Sequence, residues 1–531
     1  MSKQEKFGSR QVFDRRQFLR KSATSVAALM AAGTIPGVSW SAEDNILKIR
    51  TITDIASLDI AFGTGQDELT IASCIFNKLT AFKLDKNWGW QLEAAKSMKQ
   101  LDPLRVEFTL KPGIMYTNGY GEMTAEDVKY SFERIIDPKM KSPYSNDWEA
   151  LEQVKIKDKY TGIIILKKPF APLWNTTLPG PSGLIHSKKA MEKIGGKFTT
   201  NPPTCSGPYV LHEWKPKQLT ILKRNKLWKH EEPMFDEIHF FPIESDSTAE
   251  AVFEVGDLDF TVISVAAYQN LRKNPPKGAK LLSAPSLFYS WLGINMENPT
   301  LKDIRVRKAI QMAVDVNAII ESVYFGLTKP ATGFISPGTL GYRKKGLIPP
   351  EANIEGAKKL LVEAGYSDGL DVRLACLNKT EVLNQAQVIQ TTLGLAGIRV
   401  AINAYDSGTF WSLGIDENMG EKAKDLQLFI QRFSSFPDPS FAFQWFVSDQ
   451  VGVWNWERHS NAEFDKLFHD AVGERDVTKR NLMYQRMQEI LELSGCYRFI
   501  AHDPNFILCR QSIEPRMRPD GSTMSRYFKR L

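Results

Sequence analysis

The chain has 531 residues, of which 43% are hydrophobic and 24% are charged; this is a globular composition, sufficient for about three domains. No fixed-period repeat or low-complexity tract occurs in the sequence. The formal net charge of +7 suggests a basic protein, but most of that charge lies in one N-terminal segment.

Residues 1–42 have the layout of a secretory signal. A basic stretch is followed by a short alanine-rich apolar run and by small residues suited to cleavage. Paired Arg15 and Arg16, followed by Phe18 and Leu19, resemble the twin-arginine export signal, which implies a twin-arginine translocase as partner during export. An internal basic helix is the alternative. We predict a mature protein that is soluble in the periplasm, because no further apolar run approaches the length of a membrane span.

The charge distribution supports this division of the chain. The segment 1–42 holds seven basic residues and two acids, so the formal net charge falls from +7 to +2 without it. The remaining charges are mixed and scattered, whereas a nucleic-acid partner requires a concentrated basic surface. We therefore predict no nucleic-acid partner.

Five cysteines are distributed without a CxxC pair or a zinc spacing. An oxidising compartment permits a disulfide, and Cys496 with Cys509 is the pair closest in sequence. The odd number leaves at least one free thiol, and the sequence predicts no particular pairing.

Alternating apolar and polar residues predict several strands in the first half of the chain. Thr124 is suited to cap a helix that carries Val128, Phe132 and Ile135 on one face. The predicted strands span residues 46–50, 105–110, 162–166, 219–222 and 238–241.

From about residue 295 the pattern changes to longer helices that alternate with strands. A helix capped by Asp303 is predicted to end at Gly326, and a second is capped by Asn353. A strand, a helix and a strand then predict a parallel βαβ unit. Its elements span 371–377, 380–395 and 399–404, and they are followed by helices over 461–472 and 477–493 and a final strand over 497–508.

The chain carries no recognisable catalytic motif: nucleotide-binding glycine patterns, the HExxH pair and the GxSxG elbow are all missing from the sequence. The seven histidines are dispersed, with no pair spaced for one helix face. We predict no enzyme activity, no metal site and no cofactor. A secreted hydrolase with an unrecognised site is the alternative of another class.

Aromatic residues cluster between 410 and 456, in loop sequence marked by proline and glycine. Each ring taken alone fits a core position, yet loop-borne aromatics interspersed with Ser, Asn, Gln and Asp suggest a ligand pocket. The cluster comprises Phe410, Trp411, Phe433, Phe436, Phe441, Phe443, Trp445, Phe446, Trp454 and Trp456.

Several segments of distinctive sequence follow one another in a fixed order along the chain. The first is Phe108-Thr-Leu-Lys-Pro-Gly-Ile-Met-Tyr-Thr-Asn-Gly119, followed by Thr124-Ala-Glu-Asp-Val-Lys-Tyr-Ser-Phe-Glu-Arg134. Further segments are Ser206-Gly-Pro-Tyr209, Val255-Gly-Asp-Leu-Asp259, Asp303-Ile-Arg-Val-Arg-Lys-Ala-Ile310 and Pro437-Asp-Pro439. In this order the segments resemble the large solute-binding proteins of peptide, nickel and opine ABC importers, and the resemblance covers essentially all of residues 46–510.

The resemblance implies an α/β, two-lobed periplasmic-binding-protein fold of type II. Lobe I would span 43–290, with an inserted subdomain at about 70–205, and would be completed by 497–531; lobe II would span 291–496. Two crossings, near 283–295 and 497–506, would form the hinge. A monomer would enclose its ligand in the cleft and deliver it to an ABC permease in the inner membrane.

One position departs from the peptide receptors of this family, which often carry Ala-Asp-Tyr before Pro-Asp-Pro. Here the tripeptide is Ser434-Ser435-Phe436, so Ser435 replaces the acid that pairs with a peptide's amino terminus. A buried ammonium without a counter-charge is costly. Asp438 is a substitute acid, although capping its turn is the simpler role, and Arg432 is suited to an acidic ligand group.

Peptides therefore remain the expected ligands, with opines, sugar conjugates and modified peptides as alternatives. A chemoreceptor or chaperone-like role is compatible with the same fold. The predicted ligand-binding residues are Asn295, Phe410, Trp411, Arg432, Ser435, Phe436, Asp438, Trp445 and Trp454.

Overall fold

The computed structural model describes residues 45–531, except residue 64 and residues 85–87. The predicted export signal, with Arg15, Arg16, Phe18 and Leu19, lies outside the described residues. No helix in the described part of the chain is both long and apolar enough to cross a membrane.

A mixed seven-stranded sheet is built from both ends of the described chain. The strand Ile46–Thr51 pairs in parallel with two neighbours, and the remaining pairs are antiparallel. In order across the sheet the strands are Tyr209–Lys215, Leu219–Arg224, Glu237–Pro242, Ile46–Thr51, Phe260–Ile263, Asn505–Arg510 and Ala279–Ala284.

A four-stranded antiparallel sheet is formed by residues inserted between strands of the seven-stranded sheet. Its strands are Ala95–Asp102, Arg105–Leu110, Thr161–Leu166 and Leu151–Ile156. The helix Ala125–Ile136 packs on it through Val128 and Phe132, both fully buried. The Asp127 carboxylate accepts a 2.7 Å hydrogen bond from the Thr124 N–H, so the helix begins where the cap pattern predicted.

A five-stranded mixed sheet is formed by residues 288–502. The strand Phe288–Ile294 is the fourth of the five; strands flank it on both edges, and it is buried at almost every residue. The predicted βαβ unit is confirmed, because Leu370–Leu377 and Ile398–Tyr405 pair in parallel. In order the strands are Ile398–Tyr405, Leu370–Leu377, Leu428–Ser434, Phe288–Ile294 and Tyr497–His502.

The other elements are helices and short two-stranded pairs. The pairs are Asn77–Lys78 with Leu184–Ile185, Thr80–Phe82 with Trp90–Leu92, Met115–Tyr116 with Gly121–Glu122, and Ile513–Glu514 with Lys529–Arg530. The α-helices are Gln66–Ile75, Ala125–Ile136, Lys188–Lys193, Asp246–Glu254, Val265–Leu271, Ile304–Ala313, Val316–Val323, Ile354–Glu363, Thr380–Leu395, Ser407–Phe410, Asp416–Met419, Ser440–Phe443, Ala462–Gly473 and Val477–Leu493.

Two predicted elements are each divided in the structure. The helix predicted from Asp303 to Gly326 is two helices, because Val314 is extended and the Asp315 side chain caps a new start at Val316. The final predicted strand is also two strands. Pro504 lacks an N–H and interrupts the ladder between Tyr497–His502 and Asn505–Arg510.

The chain passes between the two large sheets twice, at residues 285–287 and 503–504. Both crossings carry a proline, and they are tied together because the Ser286 hydroxyl donates to the Asp503 carbonyl. The strand Tyr497–His502 belongs to the five-stranded sheet, which differs from the predicted return to lobe I at residue 497. The sheet to which Tyr497–His502 belongs is decided by the strand with which it pairs, and the sequence of Tyr497–His502 does not specify that partner.

Candidate functional site

The aromatic cluster divides into a buried part and a half-buried part. Four rings are at most 1% exposed and fill cores beside the five-stranded sheet: Phe410, Phe443, Phe446 and Trp456. Six rings keep part of their surface accessible: Trp411, Phe433, Phe436, Phe441, Trp445 and Trp454. The predicted ligand role of Phe410 is corrected accordingly, because its ring packs against Phe429 and Trp456 within the core.

The six half-buried rings form one continuous series of contacts, which we call the aromatic row. The ring centroids of Trp411 and Phe433 lie 5.7 Å apart, and those of Phe433 and Trp454 lie 6.2 Å apart. Trp454 and Trp445 follow at 5.9 Å. The last two of these three pairs are edge-to-face, a geometry that aromatic pairs prefer.

The row continues from Trp445 to Phe441 at 5.5 Å and from Phe441 to Phe436 at 4.6 Å, both edge-to-face. In four of the five neighbouring pairs the ring planes are 68 to 89 degrees apart, so the row presents both faces and edges of its rings. Such a surface suits a ligand with apolar or planar groups.

Phe436 is the end of the row that reaches the other large sheet's side of the molecule. Its ring lines a cavity of about 40 Å³ whose other walls come from residues 66–82, 179–184 and 518–524. Two of these residues are cationic, Lys78 and Arg518, and we call the space the Lys78–Arg518 cavity. It lies where both sides of the molecule meet, which is the geometry of a shared ligand cleft.

Lys78 is 7% exposed, and its Nζ donates a 2.6 Å hydrogen bond to the Pro179 carbonyl. Burial lowers the pKa of the Lys78 ammonium to about 8. Sequence reasoning did not select this residue. A lysine within the apolar run Ile75–Phe82 is the signal that was available, since lysines are rarely buried without a partner.

Ser435 lies beside Phe436 at the first crossing between the sheets. Its N–H donates a 2.9 Å hydrogen bond to the Leu287 carbonyl, and its hydroxyl donates to the Phe436 carbonyl at 3.0 Å. Both contacts are local and neutral. The position next to the cavity therefore carries no negative charge, as its sequence implied.

Asp438 is 1% exposed and forms two 2.7 Å hydrogen bonds with the Arg480 guanidinium. Its Oδ1 also accepts from the Ser440 hydroxyl at 2.7 Å. These bonds use both carboxylate oxygens inside the fold, so the structure corrects the suggested role of Asp438 as counter-charge for a ligand.

Asn295 is also an internal residue. Its side-chain amide donates to the Lys424 and Leu426 carbonyls, at 3.2 and 2.8 Å, and its oxygen accepts from the Glu297 N–H. Because all of these polar groups are used within the chain, the predicted ligand contact of Asn295 is corrected to a structural role.

Arg432 is 40% exposed at its side chain and pairs with Asp503 of the second crossing. Its guanidinium also lies 3.7 Å above the Phe288 ring. Asp503 accepts a further 2.7 Å hydrogen bond from the Tyr324 hydroxyl. The Arg432 charge is therefore paired with the second crossing. Arg432 and Asp503 are 71 positions apart in sequence, so no local pattern predicted the pair.

A second contact joins the two sides of the molecule away from the crossings. The Ala171 N–H donates a 2.9 Å hydrogen bond to the Val472 carbonyl, at the end of the helix Ala462–Gly473. The two sides therefore touch both at the Lys78–Arg518 cavity and at this edge.

A larger cavity of about 570 Å³ is bounded by residues 77–114, 208–234 and 516–529, including Lys111 and Trp228. It is separate from the aromatic row. No group of three or more His, Cys, Asp or Glu that is arranged to hold a metal ion occurs within residues 45–63, 65–84 and 88–531. All five cysteines are free and buried.

The family model described as bacterial extracellular solute-binding proteins, family 5 Middle, matches residues 90–453. The chain is 26% identical to the oligopeptide-binding protein AppA of Bacillus subtilis over 491 residues, 88% of each protein. It is 24% identical to the glutathione-binding protein GsiB of Escherichia coli O157:H7 over 477 residues, 88% of this chain and 90% of GsiB.

Among solved structures, the chain resembles the binding protein MoaA of A. tumefaciens R10 in complex with mannopinic acid. The TM-score is 0.78 at 22% identity, over 92% of this chain and 99% of MoaA. The predicted α/β, two-lobed binding-protein fold is thereby confirmed.

Proposed function

Because the chain belongs to family 5 of the bacterial extracellular solute-binding proteins, we propose that it is the receptor of an ABC importer, which holds a peptide or peptide-like ligand between its lobes and passes it to a membrane permease. The protein binds this ligand without converting it. The observation that carries the proposal is the aromatic row, which ends at a cavity shared by both sides of the molecule.

We place the lobe boundaries where the chain changes sheets. Lobe I then comprises residues 45–284 and 505–531, and lobe II comprises 288–502. The crossings at 285–287 and 503–504 form the hinge. The proline in each crossing limits the backbone freedom there, so rotation is confined to a few neighbouring residues.

Ligand capture would favour lobe closure, because contacts from both lobes exist only when the cleft is shut. Phe436 and the Ala171–Val472 hydrogen bond provide contacts between the two proposed lobes. A ligand lying between them adds its own interactions to both lobes. A permease can then distinguish the closed, loaded receptor from the open one.

Two ligand classes remain candidates. AppA and GsiB are named for oligopeptides and glutathione, which supports a peptide-like ligand. MoaA is seen with mannopinic acid, which supports an opine. The neutral Ser435 and the internally paired Asp438 favour a ligand that does not need a counter-charge for a free amino terminus.

We also propose that residues 1–42 direct twin-arginine export and that the mature chain works as a monomer in the periplasm. The pair Arg15 and Arg16, followed by Phe18 and Leu19, supports the export route. Replacing both arginines with lysine should retain the protein in the cytoplasm. Fractionation that still finds it in the periplasm would exclude this route.

The receptor function is tested by ligand-induced stabilisation of the mature protein, denatured and refolded to remove carried-over ligand. Oligopeptides, glutathione and mannopinic acid are screened by thermal unfolding, and saturating ligand should stabilise by about 2.7 kcal/mol at a hundredfold excess over Kd. Mass spectrometry of the recovered ligand should show it unchanged. Turnover of any of these compounds would favour the hydrolase alternative instead.

A further inference from the structure

The Lys78–Arg518 cavity has an unusual charge balance for a space between two lobes. Among the residues that the structure describes, its lining includes the two cations, the apolar residues Phe82 and Phe436, and neutral polar residues, but no aspartate or glutamate. Such a lining is electrostatically mismatched to a neutral or cationic ligand group.

Among the residues that the structure describes, no acid forms an ion pair with Lys78. The Glu93 carboxylate acts on the Lys78 ammonium only through space, since it is bound by Arg526, with Nη1 and Oε1 3.0 Å apart. Lys78 donates instead to the neutral Pro179 carbonyl. An ammonium that is almost fully removed from water and has no carboxylate in direct contact is unfavourable, so an anion that enters the cavity stabilises it.

Arg518 contributes a second unused donor. Its Nη2 is bound by Asp520 at 3.1 Å and by the Ser522 hydroxyl at 2.7 Å, which holds the guanidinium in place. Its Nε–H is buried and has no partner within the described part of the chain. Buried N–H groups are nearly always satisfied in folded proteins, by the chain, by water or by a ligand.

The lobe II wall contributes no competing charge. Phe436 is apolar, and the neighbouring Ser435 is neutral. Arg432, which sequence reasoning had assigned to an acidic ligand group, is already paired with Asp503. The Lys78 ammonium, which contacts only a neutral carbonyl, and the unpartnered Nε–H of Arg518 are the donors left for an acid, and both belong to lobe I.

We propose that the transported ligand is an acid whose carboxylate binds Lys78 and Arg518 in this cavity, while its apolar or planar body lies along the aromatic row. A volume of about 40 Å³ accepts a group little larger than a water molecule, and a carboxylate fits it. The inference rests on the proposed receptor function and specifies the ligand's chemistry. Both the C-terminal carboxylate of a peptide and the carboxylate of an opine meet the requirement.

The test compares acids with their primary amides on the refolded mature protein. The probes are N-acetyl-Gly-Phe-Gly, glutathione and mannopinic acid. Each is compared with a counterpart in which every carboxylate is replaced by a primary amide. Dissociation constants are measured by isothermal titration calorimetry. We expect every bound acid to bind at least tenfold more tightly than its amide.

The variants separate charge from structure. Lys78→Met should reduce the acid preference at least tenfold, whereas Lys78→Arg, which keeps the charge, should retain most of it. Lys111→Met, which removes a lysine from the separate 570 Å³ cavity, should leave the preference unchanged. Arg518→Gln serves as a second charge-removing variant if Lys78→Met does not fold.

The outcomes distinguish the two levels of the proposal. An amide that binds as tightly as its acid, or an acid preference that survives both Lys78→Met and Arg518→Gln, would overturn the carboxylate site and leave the receptor function standing. If no probe of either kind binds, the peptide-like and opine ligand classes fail, and with them the site. Acid preference lost in Lys78→Met and kept in Lys111→Met supports the site.

Discussion

The carboxylate of Asp438 accepts two hydrogen bonds of 2.7 Å from the guanidinium of Arg480, and the side chains are only 1% and 5% exposed. The pair joins the Pro437-Asp438-Pro439 turn to the helix Val477–Leu493. It holds in position the loop that carries Ser435 and Phe436. Asp438, which the sequence suggested as a ligand contact, therefore stabilises the loop that carries one end of the aromatic row.

Removing one member of this pair should destabilise the protein. Asp438→Asn leaves the buried Arg480 charge uncompensated, and we expect a loss of about 3–5 kcal/mol in the free energy of unfolding. The double variant Asp438→Asn/Arg480→Met should lose less than the sum of the two single losses. Urea unfolding measures both. Strongly weakened binding in a variant of unchanged stability would place Asp438 in the ligand site after all.

The half-buried and buried tryptophans should respond differently to truncation. Trp445→Ala removes an accessible ring from the middle of the aromatic row, and we expect at least a tenfold weaker affinity with modest loss of stability. Trp456 is 1% exposed in the core, so Trp456→Ala should cost about 3–5 kcal/mol in the free energy of unfolding. Trp228→Ala, at the separate cavity, is the matched control for affinity. Normal binding by both Trp445→Ala and Trp411→Ala would show that the row is not the ligand wall.

Replacing Arg432 should not change which ligands are preferred. Its guanidinium is paired with Asp503 and stacked on Phe288, 3.7 Å from the ring. Arg432→Gln should therefore leave the ratio of acid to amide dissociation constants unchanged within about twofold, in contrast to Lys78→Met. Calorimetry with the same acid and amide probes measures the ratio. A collapse of the ratio in Arg432→Gln would return the acid-binding role to lobe II.

Glu457 should make stability depend on pH. Burial raises the pKa of its carboxyl to about 8, although the Trp291 indole N–H donates to it at 2.6 Å. Between the ordinary value of 4.5 and 8, the folded state holds one proton more than the unfolded state, so this group's contribution to stability falls by about 1.4 kcal/mol per pH unit as pH rises, and levels off above 8.

Glu457→Gln keeps an acceptor for Trp291 and removes the titration. Its free energy of unfolding relative to the unchanged protein should increase steadily from pH 5 to pH 8, as measured by urea unfolding at a series of pH values. A difference that is constant across this range would show that Glu457 is ionised in the folded protein.

The cysteines should be unreactive until the protein unfolds. All five are free and buried, and burial raises the pKa of the Cys496 thiol to about 11. A thiol reagent should label none at neutral pH in the folded protein and five after denaturation, and a reducing agent should not change the melting temperature. Fewer than five labelled thiols in the denatured, unreduced protein would reveal a disulfide.

Short-range patterns in the sequence determined much of the architecture. Alternation along 46–50 and 105–110, the cap at Thr124 and the parallel unit of 371–404 all depend on residues close in sequence, and the structure contains each of them. The family was also readable, because its ordered segments include turn and cap residues whose roles are local. The neutral residue Ser435, in place of an acid, could also be read from the sequence, because only the local tripeptide Ser434-Ser435-Phe436 is needed to see it.

Tertiary structure alone decided which side chains meet. Asp438 pairs with a residue 42 positions away, and Arg432 with one 71 positions away, so neither pairing has a local pattern. The adjacent rings Phe410 and Trp411 differ in burial because one faces the core of lobe II and the other the aromatic row. Lys78 and Arg518 come from opposite ends of the chain and line one cavity only because the fold returns the C-terminal segment to lobe I. The chemistry of the ligand site depends on that return, since charge balance in a cleft is set by the side chains that surround it.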